Sequence, residues 1–268
     1  MDVTFTKPPT NGQKSESLPP PSQPQEDFGP AGLPIAIVSS PRKTCITKEY
    51  FPKAMVVLAD EEADLPPGFD PGDNAKYTAY SPNAPLGSYN CYKAHQKALR
   101  AILDANPTSD TFLILEDDAV PLKGIPVPFV IAKAAEILRF GIPQPGLLAA
   151  HYGLMTLHYR LPEFSSLGQQ PISDWVWKDK MRQIFGNPVC QFNINAYEFR
   201  TFAKMSPFAE VRLFGSLAYL VKRYAAEEII KIVYDGTPMD LYINNRVDTL
   251  FFEASPLFHD RSMGSLLG

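Results

Sequence analysis

Three consecutive carboxylates, Glu116, Asp117 and Asp118, follow directly on an apolar run in the stretch TFLILEDDAVP, Thr111 to Pro121. Uncompensated buried carboxylates are costly, so three acids at the end of a strand are poor packing residues. Thr111 to Leu115 show no polar alternation and read as a strand buried on both faces. The carboxyl ends of such strands are where open α/β sheets place ligands. Successive strand side chains point to opposite faces, which projects Glu116 and Asp118 to one side and Asp117 to the other. Two carboxylates on one side suit a hard divalent cation, Mn²⁺ or Mg²⁺, shared with a diphosphate. The competing structural role is an acidic cap for the next helix, or a solvated turn. Pro121 and Gly124 argue against it by delaying any helix.

Two other phosphate-binding designs place acids or ligands near such a strand, and both lack their glycine loop here. A nucleotide hydrolase of the P-loop type needs a Gly-rich loop closing on Gly-Lys-Ser or Gly-Lys-Thr, and neither tripeptide occurs in the chain. A dinucleotide fold needs GxGxxG after its first strand, where this chain has SSPRKT. A carboxylate–metal–diphosphate site without a glycine loop remains, the arrangement of a nucleotide-sugar transferase.

The elements that must position these acids alternate between strand and helix. Pro34–Ser39 reads as a first buried strand and Ala54–Leu58 as a second. Asp60–Ala84, rich in Pro, Gly and Asp, reads as a long loop. A helix follows, with Ser88 as its cap and Tyr92, His95, Leu99, Ile102 and Leu103 on one face. Val130–Phe140 and Arg223–Tyr234 are further helices, closed by Gly141 and Gly236. Gly146–His151, Phe192–Tyr197, Leu213–Val221 and Thr249–Glu253 have strand character. This order predicts an α/β domain, residues 31–268, with a mostly parallel central sheet.

Composition narrows the class further. Residues 1–30 hold seven of the 27 prolines, among Ser, Gln and Lys, and read as a disordered tail. A formal net charge of -4 gives no general attraction to nucleic acid or to an anionic membrane. Cys45, Cys91 and Cys190 form no CxxC pair and no disulfide framework. The start, MDVTFTKPPTNGQKS, has no apolar leader core, and no apolar run is long enough to span a bilayer. Together these lead to the expectation of a cytoplasmic protein.

Four stretches of the chain resemble family 25 glycosyltransferases, the group that includes lipooligosaccharide and collagen galactosyltransferases. FLILEDDAVP resembles the family's LILEDD segment, its version of the DxD motif. LGSYNCYKAHQKAL resembles its G-E-x-G-C-x-x-S-H segment through Gly87, Cys91 and His95. FGSLAYLVKRYAAEEII and PMDLYIN resemble two later segments through Gly215, Ala218, Tyr219, Pro238 and Asp240. The likeness runs in the family's order from Pro34 to about Ser265, with Asn90 and Ala94 standing where the family has Gly and Ser.

The resemblance implies a GT-A, Rossmann-like fold and an inverting transfer of a hexose, galactose or glucose, from a UDP-sugar to an acceptor hydroxyl. The acceptor is open, with a glycan or protein hydroxyl favoured over nucleic acid. It implies Asp118 and Glu116 at the metal, with His259 as a late third ligand. Asp240 is the implied general base, although a Pro-x-Asp opening also suits a helix N-cap. Ser39, Ser40, Arg42, Asp117 and His95 form the implied nucleotide-sugar set. For Arg42 a solvated turn is the alternative, and for His95 a satisfied core histidine. Two other functions fit the same acids: a non-catalytic sugar- or partner-binding descendant, and a metal-dependent phosphoryl-transfer enzyme.

Overall fold

The computed structural model describes residues 27–60, 62, 64–70, 84–141, 152–158, 182–183, 185–194, 197–204, 216–239, 243, 246–252 and 255–259. In chain order the elements are β1 (Ile35–Ser39), α1 (Thr47–Tyr50), β2 (Met55–Leu58), α2 (Ala84–Ala105), β3 (Thr111–Glu116), β4 (Ala119–Pro121), α3 (Val127–Phe140), β5 (Leu154–Thr156), β6 (Cys190–Ile194), β7 (Tyr197–Lys204), β8 (Ala218–Lys222), α4 (Arg223–Ile229), β9 (Thr249–Phe252) and β10 (Leu257–His259). One sheet runs β2-β1-β3-β8-β5-β9-β7-β6, and β4 pairs separately with β10.

The α/β expectation is met, but the sheet is mixed rather than mostly parallel. β1 is parallel to β2 and β3, and β5 to β9. β8 runs antiparallel between β3 and β5, and β7 antiparallel to both β6 and β9. Apolar runs such as AYLVK reveal burial on both faces and are silent about direction, so the sequence could not separate the two arrangements.

Strand alternation divides the core into two layers. Ile37, Leu113, Leu115 and Leu220 pack towards α3, while Ala36, Val38, Phe112, Ile114, Tyr219 and Val221 pack towards α2 and α4. The helices supply matching apolar faces, Val130, Ile131, Ala134 and Leu138 from α3 and Tyr92, Leu99 and Ile102 from α2. Gly141 ends α3 at a φ of 88°, its N–H bonding the carbonyl of Ile137 at 2.8 Å.

Several boundaries shift. The fold engages the chain before Leu33: the N–H of Phe28 bonds the Tyr50 carbonyl at 2.8 Å, and Asp27 pairs with Lys53 at 2.8 Å. The proline-rich composition of 1–30 masks that one aromatic anchor. α2 starts at Ala84 with Pro85 in its first turn, where a missing N–H costs nothing, so Ser88 is an interior residue and not a cap. α4 ends at Ile229, five residues before Tyr234. The strand expected at Gly146–His151 lies outside the described residues. Among the described residues no helix is long and apolar enough to cross a membrane.

Candidate functional site

β1 and β3 are parallel neighbours, with Val38 opposite Glu116. Their carboxyl ends therefore open at one edge of the sheet, and Ser39–Ser40 meets Asp117 there. Asp117 Oδ2 accepts from the Ser40 N–H at 2.9 Å and from the Ser39 hydroxyl at 3.2 Å. Ser40 Oγ in turn accepts from the Arg42 N–H at 3.2 Å, which folds the basic turn SPRK over the strand end. Arg42 is exposed, and Ser39 and Ser40 are buried. The two serines thus hold an acid of the site.

The acids sit on a turn between β3 and β4. Strand geometry ends at Glu116, so the alternation expected to put Glu116 and Asp118 on one side stops one residue short of Asp117. Thr47, the first residue of α1, clamps this turn. Its N–H bonds the Asp117 carbonyl at 3.1 Å, and its hydroxyl lies 2.7 Å from the Glu116 carbonyl and 2.9 Å from that of Ala119. Thr47→Val keeps the shape and removes the hydroxyl. The one hydroxyl proton that the Glu116 and Ala119 carbonyls share is then lost, the second of these bonds being buried, and urea unfolding is expected to register a loss of about 1–2 kcal/mol.

Asp117 and Asp118 are both buried, 3% and 5% exposed. Burial raises the Asp117 pKa above its ordinary 3.8; the Ser40 N–H opposes the shift, the Asp118 charge adds to it and Lys43 offsets part. A carboxyl whose folded pKa is raised holds its proton more tightly in the folded state. Its stabilisation is complete below the unfolded pKa and is lost as pH rises through the folded one. In metal-free protein, Asp117→Asn is therefore expected to flatten the fall in melting temperature between about pH 4 and neutrality, a window set by the ordinary aspartate pKa. Melts across that range, wild type against variant, check the sign.

Glu116 faces the other way, towards α2. It continues the Phe112–Ile114 side of β3, and its Oε1 lies 3.4 Å from His95 Nε2 and accepts from the Ser216 hydroxyl. His95 is fully buried, with Nδ1 3.0 Å from the Tyr219 hydroxyl. Burial first, then the charges of Glu116 and Cys91, push the Tyr219 pKa well above 10.0, so the phenol stays protonated. A Glu116 carboxylate can only accept, so its bond with Nε2 puts the imidazole proton there and leaves Nδ1 to accept from the Tyr219 hydroxyl. The apolar-face reading of His95 holds, since it is a hydrogen-bonded core residue, yet it also touches one of the three acids. Cys91 joins this group from one turn earlier on α2.

β10 brings Leu257–His259 to the acidic turn. His259 is the register partner of Ala119, next to Asp118, and the Leu122 N–H bonds the Pro256 carbonyl at 3.0 Å. His158, after β5, anchors this strand by donating from Nδ1 to the Leu257 carbonyl at 3.1 Å. Asp240 lies outside the described residues; Met239 and Ile243 on either side are buried in the α2 layer. Asn90 has a positioning role. Its amide bonds the Glu62 N–H at 3.0 Å and the Glu62 carbonyl at 3.2 Å, fastening the loop after β2 to α2.

Ser216, Tyr219 as a hydrogen-bond partner, Thr47 and His158 escaped sequence reasoning. Ser216 and Tyr219 stood within FGSLAY, a stretch already singled out, but strand alternation would put residues three apart on opposite faces, and they meet the His95–Glu116 pair together because β8 begins only at Ala218. Thr47 and His158 carried no signal, because their partners are main-chain carbonyls.

The carboxylate oxygens of Asp117 and Asp118 suit a hard divalent cation, which would relieve the repulsion of two adjacent buried carboxylates. No family model matches the chain, and no curated protein matches it. Solved structures do match, among them the crystal structure of A197 from STIV. That likeness is 14% identical, covers 84% of this chain and 83% of the other, and has a TM-score of 0.38. The chain is thus described by its own geometry: an α/β protein with a buried acidic turn at the carboxyl ends of two parallel strands.

Proposed function

We propose that the protein is a metal-dependent, inverting glycosyltransferase of GT-A type that moves a hexose from a UDP-sugar to an acceptor hydroxyl. One observation carries this reading: the Asp117–Asp118 turn is built jointly by the β1 end, the β3 end and the returning β10, three segments distant in sequence. Structure that converges from so far on two buried acids supports a ligand role for them. Asp118 is assigned to Mn²⁺ or Mg²⁺, and His259 is assigned as a further ligand because its strand ends beside Ala119. When bound, the metal would neutralise charge on the departing diphosphate. Asp117 holds the Ser39–Ser40 corner in place for the nucleotide. Arg42, exposed on the same turn, is assigned to the diphosphate. Asp240 is retained as the general base for the acceptor hydroxyl. Glu116 is bonded to His95 and Ser216, and in this reading it and His95 shape the wall behind the donor sugar.

The test is a donor screen on the full chain, reading UDP release from UDP-galactose, UDP-glucose and UDP-N-acetylglucosamine with and without Mn²⁺. Release that needs Mn²⁺ and one hexose donor supports the proposal. Release of inorganic phosphate from nucleotides, with no sugar transfer, would favour phosphoryl chemistry instead.

A further inference from the structure

Cys91, His95 and Glu116 form a group whose metal-ligating chemistry the transfer above does not use, although Glu116 and His95 also stand behind the donor sugar in that reading. Cys91 and His95 stand at i and i+4 on α2 and so share one helix face. Glu116 approaches that face from the end of β3. One ligand atom from each, Sγ, a ring nitrogen and a carboxylate oxygen, lies within 4.8 Å of the others. Among the described residues this is the one such group of three. Cys91 is in no disulfide and is half-buried, His95 is buried, and the Glu116 side chain is 25% exposed. A path from solvent therefore reaches a rigid inner ligand.

From this geometry we infer that Cys91, His95 and Glu116 are a three-ligand site for a borderline transition-metal ion of the zinc class, separate from the acidic turn. A thiolate and an imidazole select Zn²⁺ or Co²⁺ over Mn²⁺ and Mg²⁺, which prefer oxygen. Three protein ligands leave a fourth position for water on the solvent side. Cys91 binds as the thiolate, its proton passing to solvent. The ion takes His95 at Nε2, the nitrogen that faces Glu116, so the imidazole proton moves to Nδ1 and donates to the Tyr219 oxygen 3.0 Å away. Ser216, donating to Glu116, fixes the carboxylate in the same way. The outer partners of a metal site are thus already in place. This inference does not rest on the glycosyltransferase reading, since it needs neither nucleotide nor sugar.

The test is a Co²⁺ titration of chelator-treated full-length protein, followed by absorbance, with no nucleotide present. Wild type is expected to show visible bands of a four-coordinate ion and a thiolate-to-cobalt charge-transfer band, reversed by added Zn²⁺ and unaffected by excess Mn²⁺. Cys91→Ser, at a half-exposed position, is expected to lose the charge-transfer band with its circular dichroism unchanged. Tyr219→Phe is expected to bind about 10–100-fold more weakly, as loss of an outer partner does. Asp118→Ala is expected to leave the titration unchanged, which separates this site from the acidic turn. Absence of the charge-transfer band in wild type overturns the inference. So does a band retained in Cys91→Ser, or one lost in Asp118→Ala.

Discussion

Asp118→Ala is expected to abolish the rise in melting temperature that Mn²⁺ and UDP together give the wild-type protein, and to cut sugar transfer by about a hundredfold or more. The magnitude follows from the role assigned to the metal. Lewis-acid stabilisation of a departing diphosphate is worth several kcal/mol, and each ~1.4 kcal/mol is about tenfold in rate. Asp118 is buried beside Asp117, and its charge helps to raise the Asp117 pKa. Removing it relieves that repulsion, so the ligand-free variant is expected to melt no lower than wild type while losing the ligand response. Sites built for charge trade stability for function in this way. A ligand-induced shift as large in the variant as in wild type would remove Asp118 from the metal.

His95→Ala is expected to give the largest loss of stability, about 3–5 kcal/mol by urea unfolding. Deleting a fully buried side chain leaves a cavity, and the Tyr219 hydroxyl, itself fully buried, loses its acceptor. The second contribution can be isolated. Adding Tyr219→Phe to His95→Ala removes the stranded hydroxyl, and the double variant is expected to recover about 1–2 kcal/mol relative to additivity. A strictly additive pair would mean that the Tyr219–His95 bond carries no net stabilisation.

The strands that position the site were legible because burial on both faces leaves a continuous apolar run. IAIVS, MVVL, TFLILE and TLFF all stood where expected. Strand direction was not legible: the sheet was expected to be mostly parallel, and β8 runs antiparallel to β3. The acids were identified from chemistry alone, but their directions were not. Alternation holds only while the chain stays extended, and it correctly predicts that Glu116 shares a side with Ile114. It gives no direction for Asp118, because Asp117 and Asp118 form a turn before β4. The β4–β10 ladder, three residues on each strand, was too short for any periodicity to reveal. Yet that ladder brings His259, chosen from the resemblance as a late ligand, to the register position of Ala119.

Calorimetric titration of UDP into the full-length protein, with and without Mn²⁺, tests the acidic turn most directly. The account predicts saturable binding of one UDP per chain that requires Mn²⁺ and disappears in Asp118→Ala. UDP binding that is absent in both conditions, or equally strong without a divalent ion, would contradict it.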